Sequence, residues 1–76
     1  MQIRITKNKI EDKLNEYQKK TGASKTWISE QLGISKQRLY AIVNSNNMML
    51  DVALKFALFL NCDIKDLIEY EVENNE

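Results

Sequence analysis

The chain has 76 residues, enough for a single domain whose hydrophobic core is small. Hydrophobic residues make up 43% and charged residues 29% of the chain, which is typical of a folded globular protein and not of a disordered one. The absence of histidine and the single cysteine argue against a zinc site and exclude an internal disulfide. No apolar run is long enough for a membrane span or a secretory signal, so we expect a cytoplasmic protein without metal or cofactor.

The formal net charge is zero, but the charges are unevenly distributed along the chain. Residues 1–45 hold nine Lys or Arg and four Asp or Glu, a net of +5, and residues 46–76 hold two and seven, a net of −5. Such an asymmetry makes one end of a molecule attractive to phosphate and the other repulsive. Ordinary surface variation explains the same pattern equally well, so charge alone does not decide.

The first expected elements are an extended arm and a helix. Residues 1–7 form the arm, because residues 2–6 alternate polar and apolar side chains. A single strand leaves its backbone groups unpaired, so it either frays or pairs with a second copy. Asn8 with Glu11 three positions later resembles a capping box at the start of the helix, and Gly22 supplies its left-handed end.

Two short helices follow, separated by a tight connection. Ser24 is expected to cap the second helix, which Gly33 ends, and Ser35 is expected to cap a third helix from about Lys36 to Val43. The connection is about three residues long and contains a glycine. This is the length and chemistry of a helix-turn-helix corner.

The remaining residues predict two more helices and an acidic tail. A fourth helix is expected from Leu50 to Leu60, with Asn61 as its left-handed C-terminal residue. Asp63 is expected to cap a fifth helix, after which the tail, residues 71–76, frays.

The fourth helix is more apolar than a single buried face requires. The expected inward stripe consists of Leu50, Ala53, Leu54, Ala57 and Leu60. The surplus apolar residues favour a homodimer interface, although a broad core face is the alternative; they are Met48, Met49, Val52, Leu58 and Phe59.

The third helix has the clearest functional pattern. At about 100° per residue, its apolar residues Leu39, Ile42 and Val43 share one arc, and the opposite arc contains no acidic residue. That outer face suits the major groove of DNA, where side chains donate to base edges and contact thymine methyl groups. The expected base-reading residues are Lys36, Gln37, Tyr40 and Ala41. A plain solvated face is the alternative, but such a face usually mixes both signs of charge.

The first turn of the second helix adds Lys25 and Thr26. Backbone amides at a helix N-terminus attract phosphate, and a lysine there strengthens the field. Contacts of this kind fix register and not sequence. An exposed lysine without a role explains Lys25 equally well.

The stretch from Gly22 to Ile42, GASKTWISEQLGISKQRLYAI, resembles the Cro/C1-type helix-turn-helix family. The later runs Leu50–Ala57 and Leu60–Leu67 are similar to that family's fourth and fifth helices. The resemblance covers roughly residues 8–70, the expected domain. It implies an all-α, compact five-helix lambda-repressor-like domain that is usually dimeric on DNA.

Position by position, the resemblance implies base reading by Lys36, Gln37 and Ala41, and it places Ser29 where the second and third helices approach closely. Trp27 stands where the family is commonly polar, and we expect it to pack against apolar neighbours rather than reach a phosphate. The expected contacts to the DNA backbone are Lys25, Thr26, Ser35, Arg38, Asn44 and Ser45.

The sequence therefore predicts a sequence-specific regulator of transcription that binds double-stranded DNA, in particular a repressor of phage or mobile-element type. The alternative is a protein-interaction module on the same fold, an antirepressor or adaptor, which the neutral total charge and the loop 44–49, poor in basic residues, favour. No nucleophile–base pair, metal cluster or small-molecule site is evident, so we do not expect an enzyme.

Overall fold

The computed structural model describes residues 1–74, a mostly helical domain with a small two-stranded sheet. The elements in chain order are β1 (Gln2–Asn8), α1 (Ile10–Thr21), α2 (Lys25–Leu32), α3 (Lys36–Val43), α4 (Leu50–Leu60), a 3₁₀ turn (Ile64–Asp66) and β2 (Ile68–Glu73). Within residues 1–74, no helix is long and apolar enough to cross a membrane.

Local capping defines the ends of α2 and the start of α3. The Ser24 hydroxyl accepts a hydrogen bond from the Trp27 N–H at 3.0 Å, and the Ser35 hydroxyl accepts one from the Arg38 N–H at 3.1 Å. Gly33 ends α2 in the left-handed region with φ of 71°, where a side chain would be strained. These features confirm the expected helix-turn-helix boundaries.

Asn8 acts differently from the expected capping box. It is the last residue of β1, α1 begins at Ile10, and the Asn8 carboxamide oxygen accepts from the Ile10 N–H at 3.0 Å. Its Nδ2 donates to the carbonyls of Ile42 at 2.9 Å and Ser45 at 2.7 Å. Asn8 therefore ties the start of the helical body to the C-terminal end of α3.

One hydrophobic core unites the four helices and the segment that precedes β2. Every helix contributes at least two buried side chains, and Leu67 completes the cluster from beyond α4. The core members are Ile10, Leu14, Ile28, Leu32, Leu39, Ile42, Val43, Phe56, Ala57 and Leu67.

The prediction of a fifth helix is wrong. Only the 3₁₀ turn Ile64–Asp66 forms, and from Ile68 the chain continues as β2. Alternation of Ile, Tyr and Val with glutamate gives this segment the period of a strand, and β1 supplies the partner that a strand needs. The acidic tail does not fray at Glu71, since β2 extends to Glu73; residues 75–76 lie outside the described part.

The N-terminal arm pairs with the C-terminal segment of the same chain. β1 and β2 are antiparallel, with Ile3 opposite Val72 and Ile5 opposite Tyr70. An irregularity between Ile5 and Lys7 shifts the register, so that Asn8 faces Ile68. A bulge reverses the alternation of side chains between the two faces of a sheet. Asn8 therefore lies on the same face as Ile3 and Ile5, and its amide reaches α3. The arm therefore neither frays nor requires a second copy.

Candidate nucleic-acid interface

α3 presents its polar residues to solvent, as the helical wheel predicts. Leu39, Ile42 and Val43 are buried on the domain side. The opposite face is exposed along its length and comprises Lys36, Gln37, Tyr40 and Ala41. The side chains that would meet base edges are therefore accessible, and the apolar back of the helix fixes their orientation.

Short-range bonds hold α2 and α3 at a defined angle. The Gly33 N–H donates to the Glu30 carbonyl at 3.1 Å, and the Ile34 N–H donates to the Ser29 carbonyl at 3.0 Å. Ser29 is the only buried polar residue among residues 1–74. Its hydroxyl donates a hydrogen bond to the Thr26 carbonyl at 2.8 Å, so this buried polar group has a partner. The polar groups of the corner are therefore satisfied where α2 supports the exposed face of α3.

A cation–π contact links the first turn of α2 to the outer face of α3. Lys25 is half-buried, and its Nζ lies 5.4 Å from the centroid of the Tyr40 ring. The ring attracts the ammonium group and restricts where it points. The spacing of these residues along the chain does not indicate this contact, which requires the helix-turn-helix corner to bring them together.

The positive charge of the first half of the chain is not uniformly available. Arg4 is paired with Glu71 at 2.6 Å, and Lys9 is paired with Glu69 at 3.3 Å. The first turns of α2 and α3 contain no acidic residue. Acidic residues of β2 thus pair with two N-terminal basic residues, whereas Lys25, Lys36 and Arg38 on α2 and α3 form no ion pair within residues 1–74. The charge counts along the chain do not show which basic residues are paired.

A family model described as a Cro/C1-type HTH DNA-binding domain matches residues 13–73, most of the chain. The chain belongs to the Cro/C1-type helix-turn-helix family. A search of curated proteins returns no match. The matched region ends at the last residue of β2, so the C-terminal strand lies within the part that the Cro/C1-type model covers.

The residues expected to contact the DNA backbone differ in whether their side chains already form hydrogen bonds within the chain. Thr26 and Arg38 are exposed on the first turns of α2 and α3. Asn44 Nδ2 donates to the Tyr40 carbonyl at 3.0 Å at the C-terminal end of α3. The Ser45 hydroxyl donates to the Asn47 carbonyl at 2.8 Å, so a phosphate contact through this proton would need that bond to exchange.

Trp27 packs beside aromatic neighbours in this Cro/C1-type domain. Its ring centroid lies 6.3 Å from that of Phe59, which in turn lies 5.0 Å from that of Tyr17. Trp27 is nevertheless 43% exposed, so its ring packs against Phe59 and remains partly open to solvent. The packing agrees with the role expected from the sequence.

The surface of α4 differs from its predicted orientation. Ala53 and Ala57 are buried as expected, but Leu50 and Leu54 are exposed. Phe56 is buried with the two alanines, so the buried face of α4 is turned away from these two leucines. The residues expected at a dimer interface divide into two groups. Met49 and Leu58 are exposed, whereas Met48, Val52 and Phe59 are half-buried and pack against the core.

Cys62 is half-buried and packs against the core after α4. Burial raises the pKa of its thiol, Asp66 and Asp63 raise it further, and Lys13 opposes them. A raised pKa disfavours the reactive thiolate, so the side chain suits packing and not redox sensing. Within residues 1–74, no group of three or more potential ligands could hold a metal ion.

Proposed function

We propose that this chain binds specific sequences of double-stranded DNA as a homodimer and represses transcription, as a regulator of phage or mobile-element type. One observation carries the proposal: α3 exposes a face without acidic residues, and the apolar side of the same helix is buried in the core. A helix with such a face fits the major groove, where lysine donates to guanine and glutamine pairs with adenine. Occupation of a promoter then excludes polymerase, a role that rests on analogy with the family.

The side chains divide into two classes of contact. Gln37 and Lys36 read base edges, whereas Lys25, held against Tyr40, contacts phosphate and fixes the register of the helix. A twofold dimer places two recognition helices about one DNA turn apart, so we expect a roughly palindromic site with half-sites about 10 base pairs apart.

Selection of bound sequences from a random DNA pool tests the proposal. We expect an enriched, roughly palindromic motif, and affinity for random duplex that falls steeply with salt, because neutralised phosphates release counterions. If no duplex binds even at low salt, the proposal is wrong.

Two substitutions separate base reading from phosphate contact. Gln37→Ala should relax preference at one base position at a cost of about 1–3 kcal/mol, while affinity for random duplex stays unchanged. Lys25→Ala should weaken binding to all sequences alike and lower the salt slope by about 1. Gln31→Ala and Lys65→Ala are matched controls at exposed positions outside the α3 face. An equal loss for specific and random DNA in Gln37→Ala would exclude base reading by this residue.

The second candidate function is a protein-interaction module on the same fold. The pairing of Arg4 and Lys9 with acidic residues of β2 favours it, because these two charges are not free for phosphate. The loop between α3 and α4 also contains no basic residue. The salt dependence of binding to random duplex separates the two functions: affinity that falls steeply with salt supports DNA binding, and no binding even at low salt supports the interaction module.

A further inference from the structure

α4 exposes a continuous row of leucines. Leu50, Leu54 and Leu58 are 69%, 46% and 82% exposed. Residues four positions apart lie above one another on a helix, so the three side chains form one stripe along the helix axis. The buried face of α4 adjoins this stripe through Ala53 and Ala57 and continues round the helix to Phe56. Contiguous exposed apolar side chains of this kind usually mark a contact surface.

The two charged residues of α4 lie on one flank of the leucine stripe. At about 100° per residue, Asp51 and Lys55 follow Leu50 and Leu54 on the same side of the stripe, and both are exposed. The other flank turns toward the buried Ala53 and Ala57. When two identical helices pack antiparallel about a twofold axis, the same flank of each helix meets. Asp51 of one copy then lies two residues, about 3 Å along the axis, from Lys55 of the other.

We propose that the leucine stripe is the homodimer interface, with a second copy of the chain packed antiparallel along α4. Leu54 lies at the twofold axis, Leu50 meets Leu58 of the second copy, and Asp51 pairs with Lys55 of that copy. A parallel arrangement would place the charged flank against the apolar one, so the charges select the antiparallel arrangement. The inference deepens the proposed function, and its role on DNA rests on that function.

The sheet also exposes large apolar side chains at Ile3, Tyr70 and Val72, and its strand edges are another place where two copies could meet. Pairing of two β1 edges would bring the basic residues Arg4 and Lys7 of both copies together, which is unfavourable. The α4 stripe has no such conflict. A contact along one 11-residue helix is smaller than a standard stable interface, so we expect weak self-association in solution that a palindromic site reinforces.

Charge reversal tests the antiparallel arrangement in the absence of DNA. Sedimentation equilibrium should show a weak dimer for the unmodified chain, and Asp51→Lys and Lys55→Asp should each weaken self-association about tenfold, because like charges face each other across the axis. An equimolar mixture of the two variants should recover the dimer as a heterodimer. Circular dichroism and thermal melting check that each variant is folded. A mixture that stays monomeric while both variants are folded would overturn the arrangement.

A neutral substitution tests the stripe itself. Leu54→Gln should weaken the dimer, whereas the matched change Val72→Gln on the sheet should not. If Val72→Gln dissociates the dimer and Leu54→Gln does not, the sheet is the interface and the inference is wrong. A chain that is monomeric at the highest concentration also overturns it.

The DNA measurements separate this inference from the proposed function. Leu54→Gln should keep its affinity for random duplex per monomer and lose affinity for the selected palindrome. If the charge-reversed pair forms the heterodimer but no form of the chain binds DNA, the interface is supported and the DNA-binding proposal alone fails.

Discussion

The α2–α3 corner and the terminal sheet differ in how far apart their bonded residues lie along the chain. At the corner, Ser24, Ser35 and Gly33 bond to groups within four residues. In the sheet, Arg4 bonds to Glu71, 67 residues away. The corner is also backed by the core, whereas most side chains of β1 and β2 are exposed. The part of the molecule that meets DNA in our proposal is therefore the locally determined and better buried one.

Truncations to alanine in the two regions should lower the free energy of unfolding by very different amounts. Leu39 of α3 is 1% exposed, so Leu39→Ala removes core contacts and should lower the free energy of unfolding by about 2–5 kcal/mol. Val72 of β2 is 51% exposed, and Val72→Ala should cost less than about 1 kcal/mol. Urea denaturation followed by circular dichroism measures both. Similar costs would mean that the sheet contributes as much to stability as the helical core.

Asn8 joins the two regions, and its loss should have the second largest effect. Asn8→Ala removes the donor to the Ile42 and Ser45 carbonyls at the end of α3. Leaving partly buried carbonyls without this donor should cost about 1–3 kcal/mol of unfolding free energy. Asn46→Ala, at an exposed position in the loop after α3, is the control and should be nearly neutral. If the two variants melt at the same temperature, water replaces the Asn8 amide at little cost.

The contrast explains which parts of the fold the sequence could predict. The caps and glycines of α2 and α3 act on neighbouring residues, so Ser24, Ser35 and Gly33 could be identified from spacing alone. The strand Ile68–Glu73 could not, because its partner β1 is near the other end of the chain and Ile64, Leu67 and Ile68 also fit a helical stripe. The proposed base-reading face followed from the apolar period of α3. The Lys25–Tyr40 contact requires the folded corner.

The role of Tyr40 can be divided by two substitutions. Tyr40→Leu removes the ring beneath Lys25 and should cost about 0.5–1 kcal/mol of binding to random duplex, because the ammonium group is no longer directed. Tyr40→Phe keeps the ring, so binding to random duplex should stay unchanged. Any loss of preference for the selected site in this variant then shows that the hydroxyl contributes to base reading. Fluorescence anisotropy at two salt concentrations measures both. If the Leu and Phe variants bind random duplex equally well, the Tyr40 ring does not contribute to phosphate contact by Lys25.

The smallest expected effect concerns the ion pairs of the sheet. Arg4 and Glu71 bond at 2.6 Å, but their side chains are 66% and 57% exposed, so water and salt screen the attraction. Glu71→Gln should therefore change the free energy of unfolding by less than about 1 kcal/mol, and the difference should vanish at high salt. A larger or salt-independent cost would show that the pair holds β1 in place. The expected small value instead means that backbone bonds and the Asn8 amide hold the sheet, while its acidic residues mainly neutralise the basic strand beside them.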